Sequence, residues 1–369
     1  MKDSLPRQVI DMIETYGLSG DLIEQLRFDA LGSHFDSTRN HIEGEVVVPS
    51  STDYDNYEDL SARGELEKLG HDALKSGKLA LLVLNGGMAT RFGGVVKGAV
   101  SVDADLSFLG LKLTDGLRHT GQKGPPLVLL MNSHATDKLT TEHLNASHHF
   151  GYPQNRIWAF QQCVSVRFRP DGSLYYTDAG EPSYHGTGHG DAVHALGLSG
   201  LVPRLKAAGV ETVFVTNVDN AVATIDPMIY GYHIQSGKAA TIELVENDGG
   251  DTGGAPYWLN GHLQLVEHFR LPPTMRRNPP VFNTNTFWLN LDVFESPPPL
   301  TWFAVSKEVN QVPVVQFERL LGEVSAFVDS QFLCVPRSGL GSRFIPVKRP
   351  EDLTQQRLAI VNAWCRTER

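Results

Sequence analysis

"LALLVLNGGMATRFGGVVKG", residues 79–98, decides how the chain is read. Six consecutive apolar residues, 79–84, have the length and continuity of a strand buried on both faces. They stop at Asn85-Gly86-Gly87 and pass into a loop with a second Gly-Gly pair and two cations, Arg91 and Lys97. Glycines there let the backbone approach a ligand and leave N–H groups free for phosphate oxygens. The loop matches neither G-x-x-x-x-G-K-[ST] nor G-x-G-x-x-G, so taken alone it reads equally well as a turn with solvated cations.

The same kind of apolar run recurs downstream. Strands are expected at 79–84, 126–132, 157–162, 212–218, 239–245, 287–291 and 343–348, with helices over 136–149, 190–207 and 226–236. Continuous apolar strands separated by helices predict an α/β fold with a mostly parallel sheet covered on both faces. In such sheets ligands bind where strand ends give way to loops. Upstream, Val9, Ile10, Met12 and Ile13, then Leu22, Ile23, Leu26 and Leu31, recur at helical spacing on either side of Gly17–Asp21, with Ser19 or Asp21 as the cap. Residues 44–58 read as a connector and 59–77 as a further helix. The expected organisation is an N-terminal helical segment and connector (1–77), a catalytic domain (78–353) and a short C-terminal helix (354–369).

Of 369 residues, 41% are apolar and 20% charged, as in ordinary globular domains. The net charge of −10 argues against a broad nucleic-acid or anionic-membrane surface, but not against a small anion in a local basic pocket. Cys163, Cys334 and Cys365 show no metal spacing and are read as reduced thiols of a cytoplasmic protein. No secretory signal is read at Met1, and no apolar run has the length to cross a membrane.

Four further stretches carry chemistry. HGTGHGD (185–191) alternates glycine with polar residues. Its histidines, with Asp191 and His194, suit either a metal or a hydroxyl-rich ligand. In VFVTNVDNAVAT (213–224) a strand ends in Asn217-Val218-Asp219-Asn220. Asp219 suits Mg²⁺, a hard cation that prefers oxygen ligands, or a helix cap. In VFNTNTFWLNL (281–291), Asn283 and Asn285 lie on one side if the backbone is extended, where amides read sugar hydroxyls; Asx-turns are the alternative. Lys348 ends the apolar run RFIPVK (343–348). Together with the first loop, these suggest a phosphorylated sugar, a nucleotide, and phosphoryl or nucleotidyl transfer.

LNGGMAT (84–90), LVLLMNSHATD (127–137), FQQ (160–162), GHGD (188–191), TNVDN (216–220), FNTNTFWLNL (282–291) and VPRSGLGSRFIPVK (335–348), in this order, resemble the UDP-sugar pyrophosphorylase family, and within it the UTP–glucose-1-phosphate uridylyltransferases. The resemblance implies a Rossmann-like (GT-A type) nucleotidyltransferase core with a mixed, mostly parallel sheet and an N-terminal helical extension. It implies UTP and a sugar 1-phosphate, glucose 1-phosphate foremost, as substrates, and Mg²⁺ as cofactor. Leu84, Asn85, Gly86, Gly87, Gln162 and Gly188 would hold the nucleotide. His189, Asn217 and Asn285 would hold the sugar phosphate, Asp219 the Mg²⁺, and Lys348, Lys97 and Arg91 the reacting phosphates. No nucleic acid or membrane partner is implied, and the oligomeric state stays open. Three departures stand out: Gly-Met-Ala-Thr where the family has Gly-Leu-Gly-Thr, extra residues between VPRS and RFIPVK, and no C-terminal β-helix domain expected in so short a run past Lys348. The readings held against this one are a catalytically inactive nucleotide-sugar sensor on the same fold and a metal-dependent hydrolase built on His185, His189, Asp191 and His194.

Overall fold

The computed structural model describes residues 4–31, 35–89, 95–103, 106–249 and 253–366. Its centre is an eight-stranded sheet. In chain order the strands are β1 (Asp55–Asn56), β2 (Leu79–Leu84), β3 (Leu127–Asn132), β4 (Ile157–Gln161), β5 (Thr212–Asn217), β6 (Ala240–Glu246), β7 (Val281–Asn290) and β8 (Ser330–Cys334). Across the sheet they run β1-β8-β6-β7-β5-β2-β3-β4. Only β7 is antiparallel to its neighbours, so the sheet is mixed and mostly parallel, as expected.

Every residue of β2 and β3 is buried. Alternate residues of β2 serve separate cores: Leu79, Leu81 and Val83 on one face, Ala80, Leu82 and Leu84 on the other. This two-sided burial is why the strand is a continuous apolar run. The first face is covered by helices at Arg63–Lys75, Phe108–Arg118, Pro227–Ser236 and Pro350–Arg366. The second is covered by the helices Asp191–Leu198 and Leu201–Ala208. Helices 63–75 and 227–236 cross without side chains between them at Gly70 and Gly231: a Cβ on either would strike the other helix's backbone. The helix Pro227–Ser236 starts from Asp226, whose carboxylate accepts the Met228 and Ile229 N–H groups, and ends at Gly237 with φ +66°.

The N-terminal helices, Arg7–Thr15 and Gly20–Leu31, fall where the periodicity put them. Ser19 Oγ accepts the Leu22 N–H at 3.3 Å. Val9, Ile13, Ile23 and Leu31 pack on Cys163, Val166, Phe168, Val315 and Phe317.

Several elements differ from expectation. RFIPVK is not a strand: it makes one isolated bridge, Asn220 to Pro346. Pro346 has no N–H to give a ladder, and Arg343 is buried in an ion pair. The reading missed β8 and the hairpins 254–259/262–267 and 303–309/312–318, and β7 starts six residues earlier than expected. The helix expected over 190–207 breaks at Ser199-Gly200, where Gly200 has φ +72°. Cys163 and Cys334 are buried free thiols. Among the described residues no helix is long and apolar enough to cross a membrane.

Strand order reverses at the β2/β5 pair: β3 and β4 lie on one side, β7, β6 and β8 on the other. The crevice beyond the carboxyl ends of these two strands is the general ligand position of such sheets. The loops Asn85–Gly87 and Val218–Asn220 open there.

Candidate active site

The Asn85–Gly87 loop is anchored before it reaches the crevice. The Asn85 N–H donates to the Met131 carbonyl (2.9 Å), and its Nδ2 donates to Asn132 Oδ1 (2.8 Å) and Thr140 Oγ1 (2.9 Å). The Asn85 side chain is fully buried and braces the ends of β2 and β3. Met88–Ala89 pairs antiparallel with Val95–Val96, which returns the chain to Lys97. The Lys97 N–H donates to the Gly87 carbonyl at 3.3 Å, and its ammonium is ion-paired with Asp219. Two residues assigned to different tasks, phosphate cation and metal ligand, thus meet directly. Arg91 lies outside the described residues.

The β5 loop is held from two sides. The Val218 N–H donates to the Leu84 carbonyl (3.3 Å), tying it to β2. The Val347 N–H donates to the Asp219 carbonyl (3.3 Å), and Asn220 bonds the Arg343 carbonyl (3.0 Å) and the Ile345 N–H (3.1 Å). The segment before Lys348 therefore runs along the Asp219 loop. Lys348 itself is exposed, its N–H bonded to Asp352 Oδ2 (3.1 Å). It lines a cleft of about 480 Å³ with Arg337, Phe344 and Gln356.

Asn285 requires a correction. It does not share an extended face with Asn283, because β7 bulges opposite Glu243/Leu244 and Asn285 takes φ +57°. The bulge swings its side chain out of the ladder, where Nδ2 donates to Asn217 Oδ1 at 2.9 Å. Asn285 Oδ1 is buried without a partner.

Gln162 follows β4, with its N–H on the Asn132 carbonyl (2.9 Å). Its side chain occupies a slot between Gly86 and Gly186: a Cβ on Gly86 would lie 2.7 Å from Gln162 Nε2, and one on Gly186 closer still. Leu84, Gly86, Gly87 and Gln162 are thus brought together. Gly188 and His189 sit on the neighbouring loop, fixed by the Gly190 N–H to the Arg319 carbonyl (2.9 Å) and by the Arg319 N–H to the Thr187 carbonyl (2.8 Å). His189 Nδ1 accepts the Leu321 N–H at 3.1 Å. Burial, and then Lys307, push its pKa down to about 4. The ring is therefore neutral at pH 7, with Nδ1 accepting and the proton on Nε2.

The hydrolase reading is overturned. Among the described residues no group of three or more His, Cys, Asp or Glu is arranged to hold a metal. Asp191 is fully buried, paired with Arg319 and accepting the Cys163 N–H (2.6 Å). His185 donates from Nδ1 to the Gly186 carbonyl (2.8 Å), and burial lowers its pKa to about 3.

The sequence reading missed the groups behind the Asp219 loop. Arg343 forms a buried bidentate ion pair with Glu243, donating two hydrogen bonds (2.7 and 2.8 Å), and donates to the Thr224 carbonyl (2.9 Å). Burial opposes its charge, but Glu243 outweighs that and raises its pKa. Lys112 is 1% exposed; its signal was a lone lysine inside the apolar run Phe108–Leu113.

The sequence pattern of the UTP–glucose-1-phosphate uridylyltransferase family matches residues 27–363. A UTP–glucose-1-phosphate uridylyltransferase of Saccharomyces cerevisiae is 33% identical over 302 residues, 75% of this chain and 58% of the relative. One of Musa acuminata is 30% identical over 366 residues, 93% and 72% of the two chains. The chain thus spans little more than half the length of the yeast relative. In structure it is similar to a UDP-glucose phosphorylase of Trypanosoma brucei, with TM-score 0.77, 22% identity, and 95% of this chain and 78% of the other covered. It is likewise similar to a UDP-glucose pyrophosphorylase variant of Leishmania major solved with UDP-glucose, with TM-score 0.74, 22% identity and coverage of 96% and 79%. Both share the mixed α/β nucleotidyltransferase fold expected from the sequence. The family pattern covers nearly the whole chain, and on that ground the chain belongs to the UTP–glucose-1-phosphate uridylyltransferase family.

Proposed function

We propose that residues 78–353 join UTP and a sugar 1-phosphate, glucose 1-phosphate foremost, into a UDP-sugar and pyrophosphate. The observation that supports this reading is the meeting of the loops after Leu84 and Asn217 with the segment up to Val347 at one strand-order switch point. In this reading a phosphate oxygen of the sugar 1-phosphate attacks the α-phosphorus of UTP in line, and pyrophosphate leaves. The attacking oxygen is already anionic at neutral pH, so no side chain need remove a proton. The difficulty is joining two polyanions, and the work of the chain is positioning and charge neutralisation.

Gln162 is the group assigned to the uracil edge, since its amide makes no side-chain hydrogen bond within the described residues. Gly86 and Gly87 offer N–H groups beside Leu84. Gly188 backs the same nucleotide pocket. His189 donates from Nε2 to the sugar phosphate, and the Asn217–Asn285 pair faces hydroxyls. Asp219 fits Mg²⁺, which is commonly held by one or two carboxylates together with substrate phosphates. When bound there, Mg²⁺ supplies neutralising charge to the phosphates. Lys97, now on Asp219, is the cation nearest that carboxylate and is assigned, with Arg91, to the departing pyrophosphate; Lys348 is assigned to the reacting centre.

The test is pyrophosphate release measured across four nucleoside triphosphates and a panel of sugar 1-phosphates. Turnover confined to UTP with one or more sugar 1-phosphates supports the reading. UDP-sugar binding by calorimetry without any turnover refutes it in favour of the sensor.

A further inference from the structure

Asn217 closes β5, and Asp219 sits on the stretch without helix or strand that follows it, residues 218–226. Its buried carbonyls lack ladder partners and must find donors elsewhere. The Asn220 carbonyl accepts the Ala223 N–H (3.2 Å) and the Asp219 carbonyl the Val347 N–H (3.3 Å), and the helix Phe108–Arg118 supplies further donors. Lys112 Nζ donates to the Asn220 carbonyl (2.7 Å), the Ala223 carbonyl (2.7 Å) and Thr216 Oγ1 (3.2 Å). All three ammonium hydrogens are used. One turn on, Asp115 Oδ2 accepts the Ile225 N–H at 2.8 Å. Thr216 and Asn220 flank Asn217-Val218-Asp219 on both sides, so one buried cation brackets the two residues assigned to substrate and metal.

A buried ammonium is costly, and an apolar side chain of similar size often replaces buried charge without loss. A demand from fold stability alone therefore does not account for a lysine here, whereas a demand for loop geometry does. We propose that Lys112 is a positioning residue for uridylyl transfer, fixing Asn217 and Asp219 by clamping Thr216 to Asn220 from inside the core. It touches neither substrate nor metal and acts through the loop. This assignment rests on the function proposed above.

The test compares Lys112→Met, Lys112→Arg and, as a stability control from the same helix, Leu113→Ala, whose side chain is fully buried in the core. Steady-state kinetics, thermal melts and amide hydrogen exchange are recorded for each. Lys112→Met is expected to lose roughly 10- to 100-fold in kcat, the scale of a misplacement of about 1 Å, with KM for UTP within about twofold of wild type. Lys112→Arg is expected to recover most of the loss. Leu113→Ala is expected to melt earlier yet keep kcat within about twofold, since its cavity leaves the three Lys112 hydrogen bonds in place. Amides of 217–223 should exchange about tenfold faster in Lys112→Met, with β2 amides unchanged. The proposal is overturned if Lys112→Met keeps wild-type kcat, or if Leu113→Ala loses as much. Should Lys112→Met fail to melt cooperatively, Thr216→Val carries the test: it removes one acceptor and keeps the ammonium, and unchanged kcat in it overturns the proposal. If the wild type turns nothing over, the functional reading fails, while the exchange comparison still decides whether Lys112 clamps the loop.

Discussion

Replacing Gly86 by alanine tests the nucleotide reading at its narrowest point. Gly86 does not take a left-handed conformation, so the backbone accepts alanine without strain. The new methyl meets Gln162 Nε2 at 2.7 Å, about 0.7 Å inside ordinary van der Waals contact. Gln162 has no room to move sideways, because the Gly186 backbone closes the other wall of its slot. The amide must therefore slide along the slot, away from where it reads a base. An amide reading the uracil edge makes two hydrogen bonds, each worth about 0.5–1.5 kcal/mol net. Losing both costs about 1–3 kcal/mol, or roughly 5- to 150-fold in UTP affinity. The expected result for Gly86→Ala is a KM for UTP raised on that scale and a reduced preference for UTP over CTP. Its melting temperature should stay within a few degrees of wild type, since no core contact is lost. The assay is pyrophosphate release with each nucleotide at saturating glucose 1-phosphate. Unchanged UTP affinity and selectivity in a folded Gly86→Ala protein would refute the placement of Gln162 on the base.

Asp219→Ala and Lys348→Ala should each lose roughly 10²–10³ in kcat while staying folded, the scale of removing one preorganised charge; near-wild-type turnover at saturating substrates sinks the mechanism. Arg343→Met leaves Glu243 buried without its cation, with Trp288 Nε1 (3.0 Å) still donating, and should lose about 3–5 kcal/mol in urea unfolding. Stability should fall with acid: burial is the leading cause that lowers the pKa of His185 to about 3 and those of His189, His194 and His233 to about 4, against about 6.5 unfolded. Below pH ~6.5 the unfolded chain takes up protons that the folded one refuses, so this stability is complete above that pH and drains away towards pH ~4. Urea midpoints at pH 7.5, 6 and 5 measure the slope, and His233→Gln, away from the site, should flatten it.

The parallel strands were legible because burial on both faces leaves one composition open to them. The runs at 79–84 and 126–132 meet β2 and β3 to within a residue. RFIPVK, apolar only between two cations and interrupted by Pro346, has a different fate, with Arg343 held by a buried partner 100 positions away, Glu243. β8 (SQFLC) was invisible for the opposite reason: it is a short strand whose first residues are polar. At the site, Asn217 and Asp219 were recognisable at the end of a strand, and Gln162 only through the resemblance to the family. The Lys97–Asp219 pair was not, since 122 residues separate its members. Nor was the Asn285 swing, which depends on a register shift that no local pattern announces. Lys112 passed unremarked in the sequence, and only the packing of residues 216–223 shows what it meets.

The placement of β5 beside β2 has a consequence for biosynthesis. Leu82 pairs with Val215, and Val215 in turn with Phe287. During translation β2, β3 and β4 emerge as a three-stranded parallel unit whose β2 edge has no neighbour until β5 is made, while β5 gains its second neighbour only with β7. At roughly 5–20 residues per second, the interval from β2 to the end of β7 lasts on the order of 10–40 s. For that time the nascent chain carries an apolar strand with open hydrogen-bonding groups at the very edge that later becomes the crevice. The strand order that creates the ligand position thus also creates an aggregation-prone intermediate. Slow decoding between β4 and β5 should lower soluble yield more than slow decoding after β7.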